Sequence, residues 1–176
     1  MSSQLPADWI VQHTLAPTND RNRALDLACG KGRHSFWLRD QGWQVTAIDR
    51  DLSHIETLHH PDITWMQADL ETGQWPLKNQ KFDLIVVVNY LHRPLFDNLR
   101  AALNPGGTLM YETFMAGNEL YGRPRSPDFL LQIDELRDLF SDWGSIAFRQ
   151  GPVLDEKTKA VLGVKQSIVT QKPDRD

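Results

Sequence analysis

The chain of 176 residues has room for one domain with a substantial core, and none for a cofactor domain beside a separate substrate domain. Its 40% hydrophobic and 24% charged residues are the composition of a folded globular protein, and a net charge of -4 disfavours large polyanionic partners, nucleic acid among them. Met1 to Leu15 lacks the basic start and apolar core of a signal peptide, no apolar run approaches the roughly 20 residues of a membrane helix, and Cys29 stands alone. The expectation is therefore a cytoplasmic protein with no disulfide, no membrane partner and no metal site.

In chain order, Pro6 to Leu15 reads as a short helix, because a proline suits its first turn and Trp9, Ile10 and Leu15 are apolar. Ala24 to Ala28 reads as a buried strand ended by Gly30 and Gly32. Arg33 to Gln41 then has helical composition and is closed by Gly42. Gln44 to Ile48 repeats the strand signal, and Ser53 with Glu56 has the spacing of a capping box opening a second helix. Ile63 to Met66 is a third strand, and Phe82 to Val88, apolar almost throughout, is the central one, covered on both faces. Pro94 opens a helix carrying Leu95, Leu99 and Ala102, which Asn104-Pro105-Gly106-Gly107 stops before a strand from Thr108 to Phe114. Beyond a polar loop over residues 115–130, Ile133, Leu136, Leu139 and Phe140 mark a last helix. Strands near Ser145 to Arg149 and Leu162 to Thr170 then form a closing hairpin.

Strands alternating with helices predict a mainly parallel, seven-stranded sheet with an antiparallel closing strand, helices on both faces, and a ligand crevice beyond the carboxyl ends of the strands. The residues at those ends are therefore the informative ones. Asp26-Leu27-Ala28-Cys29-Gly30-Lys31-Gly32 puts an acid before a glycine turn, where a ligand can approach the main chain. Asp49 ends the next strand, where a carboxylate can accept both hydroxyls of an adenosine ribose. Asp69 and Asn89 follow at intervals of 20 residues, so polar groups recur at successive strand ends around one crevice. Arg33 and His34, at the head of the first crossover helix, either meet a ligand carboxylate or cap and pack.

This pattern resembles the class I S-adenosylmethionine-dependent methyltransferases, with their Rossmann-like α/β fold, over most of the chain. The glycine motif is matched by Asp26 to Gly32 and the ribose acid by Asp49. The resemblance implies S-adenosylmethionine as cofactor and S-adenosylhomocysteine as product. It implies Asp26 near the methionine amino group, Gly30 and Gly32 beside the methionine portion, and Asp69 with Leu70 facing the adenine. Ala28, where the family often has glycine, Arg50, His34 and Asn89 complete the expected cofactor set. Gly30 to Ser35, Asn89 to Pro94, Tyr111 to Phe114 and Gly117-Asn118-Glu119 with Tyr121 to Pro124 are similar to a bacterial branch related to tellurite-resistance-type methyltransferases.

Methyl transfer is an in-line displacement, so alignment dominates and a base helps when the acceptor carries a proton. Tyr90 and His92 follow the central strand, and His92 has the ordinary imidazole suited to proton transfer. Glu112 interrupts an apolar strand and needs a partner, either Arg93, Arg123 or a ligand amine. Arg123 and Arg125 can grip an oxyanion or carboxylate or stand solvated, and their loop is a candidate lid. His92, Glu112, Tyr90 and Arg123 form the expected catalytic set, acting on a small molecule.

Three rivals stand beside this reading. A nicotinamide-binding domain shares the glycine turn, but Ser35 stands where its fingerprint wants glycine or alanine. A catalytically silent cofactor sensor would keep the donor loop alone. An RNA or protein methyltransferase stays open, although Asn89-Tyr90-Leu91-His92 lacks the Pro-Pro-aromatic signature of adenine-modifying enzymes. Nothing in the sequence fixes an oligomeric state.

Overall fold

A computed structural model describes residues 5–55 and 60–174. Helix α1 (Asp8–His13) precedes β1 (Arg23–Leu27), α2 (Arg33–Asp40), β2 (Gln44–Asp49), β3 (Ile63–Gln67) and β4 (Phe82–Val88). A 3-10 turn at Arg93–Leu95 leads into α3 (Phe96–Ala102), followed by β5 (Leu103–Phe114), α4 (Glu135–Leu139), β6 (Gly144–Leu154) and β7 (Val161–Gln171). The strands form one seven-stranded sheet in the order β3-β2-β1-β4-β5-β7-β6. The pairs from β3 to β5 are parallel, and β7 runs antiparallel to both β5 and β6. The mainly parallel sheet with an antiparallel closing strand is thus present. A β7 inserted between β5 and β6 departs from the nicotinamide-binding order 3-2-1-4-5-6.

The apolar run of β4 follows from its place at the centre. Leu84, Val86 and Val88 pack with Trp9, Ile10 and Leu38 of α1 and α2. Ile85 and Val87 pack on the opposite face with Phe96 and Leu99 of α3 and Leu136 of α4. Both faces being covered, no polar alternation survives in this strand. Helix α2 starts on Gly32 at φ 77° and ends where Gly42, at φ 95°, returns its amide to the Arg39 carbonyl.

Two expectations need correction. The chain enters the sheet at Leu103, five residues before Thr108, because Leu103 already pairs with Phe82 and Asn104 to Gly107 form an irregularity inside β5, not a break before it. The last helix excludes Ile133, which is exposed. Asp134 adopts a left-handed backbone at φ 62°, so the helix starts one residue later and buries Leu136, with Phe140 buried just past its end. The helix expected from Ser53 and Glu56 falls partly outside the described residues. Within them, the Ser53 amide is taken by the Asp51 carboxylate at 2.9 Å.

Candidate functional site

The glycine loop is built by backbone that few residues tolerate. Ala28, Gly30 and Gly32 have φ of 55°, 54° and 77°, a region costing an alanine about 1 kcal/mol. The Cys29 amide is held by the Ile48 carbonyl at 2.9 Å, tying the loop to β2. A side chain on Gly32 would come within 2.8 Å of the Trp65 ring, whereas a Cβ on Gly30 would meet nothing within 4 Å. Gly32 is therefore a packing glycine. Gly30 faces open space, and its amide donates to Asp49 Oδ2 at 2.8 Å while the Asp51 amide donates to Oδ1 at 3.1 Å. Asp49 thus sets the loop as well as standing beside it, and each oxygen keeps a lone pair for a ligand hydroxyl.

Above the strand ends lies a cavity of about 560 Å³, within the size range of small-molecule sites. One side is lined by Ala28, Asp49, Arg50, Ala68, Asp69, Leu70 and Glu71, from the ends of β1, β2 and β3. The other is lined by Asn89, Tyr90 and Leu91 after β4 and by Thr113 and Phe114 at the end of β5, with Pro124 and Phe129 as an outer wall. The structure therefore brings Ala28, Asp49, Arg50, Asp69, Leu70, Asn89 and Tyr90 together. Asn89 turns the chain at φ 58° with its amide on the Glu112 carbonyl at 2.8 Å. The Tyr90 hydroxyl donates to Glu71 Oε1 at 3.4 Å. Burial, then the charge of Glu71, pushes that hydroxyl's pKa up, so it stays protonated near neutrality.

Other expected site residues stand away from this lining. Asp26 is buried, and Ser35 Oγ donates to its Oδ2 at 2.6 Å; burial pushes the carboxyl up to about 7, against which the Ser35 hydrogen bonds work. His34 is buried under the N-terminal segment, its Nε2 accepting the Ala7 amide at 3.1 Å. Burial lowers its imidazole to about 3 and keeps it the neutral acceptor this bond needs. Glu112 pairs with neither Arg93 nor Arg123. Ser167 donates to it at 2.7 Å, Arg149 at 3.2 Å and Lys165 at 3.3 Å, because β7 lies directly beside β5 and β6 beyond it. Arg93 instead grips Glu135 through two bonds of 2.7 and 2.9 Å. His92 is half-buried outside the cavity lining, and Arg123 is exposed on the loop. Cys29 is a buried thiol whose pKa burial raises, which leaves it unreactive.

Ala68, Glu71 and Phe129 line the cavity without having been singled out, and Thr113, Phe114 and Pro124, which stood only inside the branch motifs, were given no place in the site. Glu71, two residues after Asp69, was the legible one, since its amide closes the turn on Asp69 Oδ1 at 2.9 Å. The two phenylalanines carry no signal that separates a cavity wall from a core.

Residues 24–107 match the family model described as "Methyltransferase domain". A malonyl-[acyl-carrier protein] O-methyltransferase of Enterobacter lignolyticus is 32% identical over 101 residues, 53% of this chain and 39% of that protein. The chain spans about half or less of the length of the curated relatives it matches. The crystal structure of TehB from Haemophilus influenzae superposes with a TM-score of 0.69 at 22% identity, covering 88% of this chain and 58% of that one. A glycopeptide N-methyltransferase, MtfA, complexed with S-adenosyl-L-methionine superposes with a TM-score of 0.62 at 20% identity, covering 93% and 91%. At these identities the two structures speak for the fold.

Proposed function

Starting from a chain that belongs to the class I S-adenosylmethionine-dependent methyltransferases and is related to TehB, we propose that it is a single-domain cytoplasmic enzyme transferring a methyl group to a small molecule. The observation that carries the donor half is the Asp49 carboxylate, held on the Gly30 amide at the mouth of the cavity. There it can accept the two hydroxyls of a ribose. Leu70, Ala68 and Ala28 offer an apolar seat for a flat base, Asp69 and Glu71 offer acceptors at its edge, and the open side of Gly30 leaves room for an amino-acid tail. These residues fit S-adenosylmethionine, which supplies, when bound, a positively charged sulfonium carrying the methyl group.

The acceptor half is lined by neutral side chains: Asn89, Tyr90, Leu91, Thr113, Phe114 and Phe129. None of them takes a proton near neutrality, Tyr90 least of all because burial and Glu71 hold its own proton in place. An acceptor that arrives ionised needs no base, which favours a carboxylate or another oxyanion over an amine. Asn89 and the Thr113 hydroxyl are the groups placed to orient it, and exposed Arg123 stands on the loop outside. Among the described residues no helix is long and apolar enough to cross a membrane. His92 and Glu112 standing outside the lining favours a second reading, a cofactor-binding domain without turnover.

Calorimetry with S-adenosylhomocysteine and NAD tests the donor half; binding of NAD alone would overturn it. Labelled-methyl transfer from S-adenosylmethionine to parallel panels of carboxylates, oxyanions and amines tests the other. Turnover confined to amines would refute the acceptor class, and cofactor binding with no transfer to any panel would support the silent reading.

A further inference from the structure

In the segment Gly117-Asn118-Glu119 with Tyr121 to Pro124 only Pro124 lines the cavity, yet Asn118 is 1% exposed in a loop that is otherwise largely solvated. Its backbone amide donates to the Met115 carbonyl at 3.1 Å, and its carbonyl accepts the amides of Tyr121 and Gly122 at 2.9 and 3.0 Å. Its side chain reaches outward in two directions. Oδ1 accepts the Val164 amide of β7 at 3.0 Å, and Nδ2 donates to the Pro124 carbonyl at 3.1 Å. One partner is a donor and the other an acceptor, so the amide has a single satisfying orientation and a carboxylate cannot replace it.

The position of this amide matters because of what it joins. Pro124 is part of the cavity's outer wall. Gly163, next to Val164, sits where a Cβ would come within 3.1 Å of both Asn118 Oδ1 and the Phe114 ring, so Asn118 and the wall residue Phe114 flank the same glycine, which has no room for a side chain. At the loop base the Ala116 amide reaches the Leu131 carbonyl, and the Leu131 amide reaches the Phe114 carbonyl, at 2.9 and 3.0 Å. We propose that Asn118 is a positioning residue of the acceptor half: it fastens Pro124 to β7 and makes the loop over residues 115–130 a standing wall, not a swinging lid. This rests on the methyltransferase reading for its consequence, the size of acceptor admitted, but not for its geometry.

Asn118→Asp keeps the acceptor for Val164 and loses the donor to Pro124, while Asn118→Ala loses both. Arg125 is exposed on the loop, so tryptic cleavage between Arg125 and Ser126, followed by mass spectrometry, reads its opening locally. Loss of one buried hydrogen bond should raise that cleavage rate about tenfold in Asn118→Asp, and further in Asn118→Ala. Affinity for S-adenosylhomocysteine should stay within about twofold, because neither partner lines the donor side, and with an acceptor from the transfer panels KM should rise far more than kcat changes. Cleavage within about twofold of the unaltered protein would overturn the proposal. So would a parallel fall in S-adenosylhomocysteine affinity, which would move Asn118 to the donor side. If the unaltered protein binds no S-adenosylhomocysteine, the donor reading fails while the cleavage ratio still decides the place of Asn118.

Discussion

Asp26 and Asp49 end neighbouring strands and look equivalent in the sequence, but their surroundings divide them. Asp26 is sealed beneath α2 with Ser35 as its partner, and burial lifts its carboxyl to about 7. The folded protein therefore binds a proton that the unfolded chain, with an ordinary carboxyl near 3.8, has released. Stability should fall as pH rises from about 4 to about 7 and level off above that, by an amount on the order of 4 kcal/mol at most. Asn at this position carries no such charge, so Asp26→Asn should flatten the profile and melt higher than the unaltered protein at pH 8, as calorimetric scans at several pH values would show. Asp49 sits half-exposed at the crevice with both oxygens on loop amides. Asp49→Ala should weaken S-adenosylhomocysteine at least about tenfold in titration calorimetry, and an unchanged affinity would sink the donor assignment.

Between elements, Arg93, in the connection from β4 to α3, ties the loop that follows β5 to α4. Arg93 holds Glu135 and also donates to the carbonyls of Asp128 and Leu130 at 3.0 and 2.9 Å, so it fastens the loop beneath Phe129 to α4. Because Arg93 is partly exposed, Arg93→Met should cost only about 1–2 kcal/mol in urea unfolding, with an unchanged m-value. The elements themselves were largely legible. Apolar runs bounded by glycine, proline and polar residues marked all seven strands, and the polar groups at the ends of the first four marked the crevice. What stayed hidden depends on neighbours distant in the chain. Glu112 could not reveal its partners, since Arg149, Lys165 and Ser167 meet it only through the insertion of β7. His34 could not reveal that it receives the Ala7 amide. Ile133 satisfied helical spacing but lay outside a helix whose start is set by the backbone of Asp134.

At the scale of the whole molecule, one sheet presents a cavity across the ends of five elements, and both hydrophobic layers are needed to hold those ends in register. The position of β7 has a consequence for biosynthesis. Strand β5 lies between β4 and β7, with Phe114 opposite Lys165, so while the ribosome is still making residues 115–160 the nascent sheet ends in a bare strand able to pair with another chain. Glu112 is then an unneutralised charge on that strand, the kind of guard that discourages intermolecular pairing. When β6 and β7 arrive, the same carboxylate is taken up by Arg149, Lys165 and Ser167. Glu112→Gln retains hydrogen-bonding capacity but removes the charge. It should scatter more light and recover less soluble protein on dilution from denaturant, and equal recovery would show that the charge guards nothing.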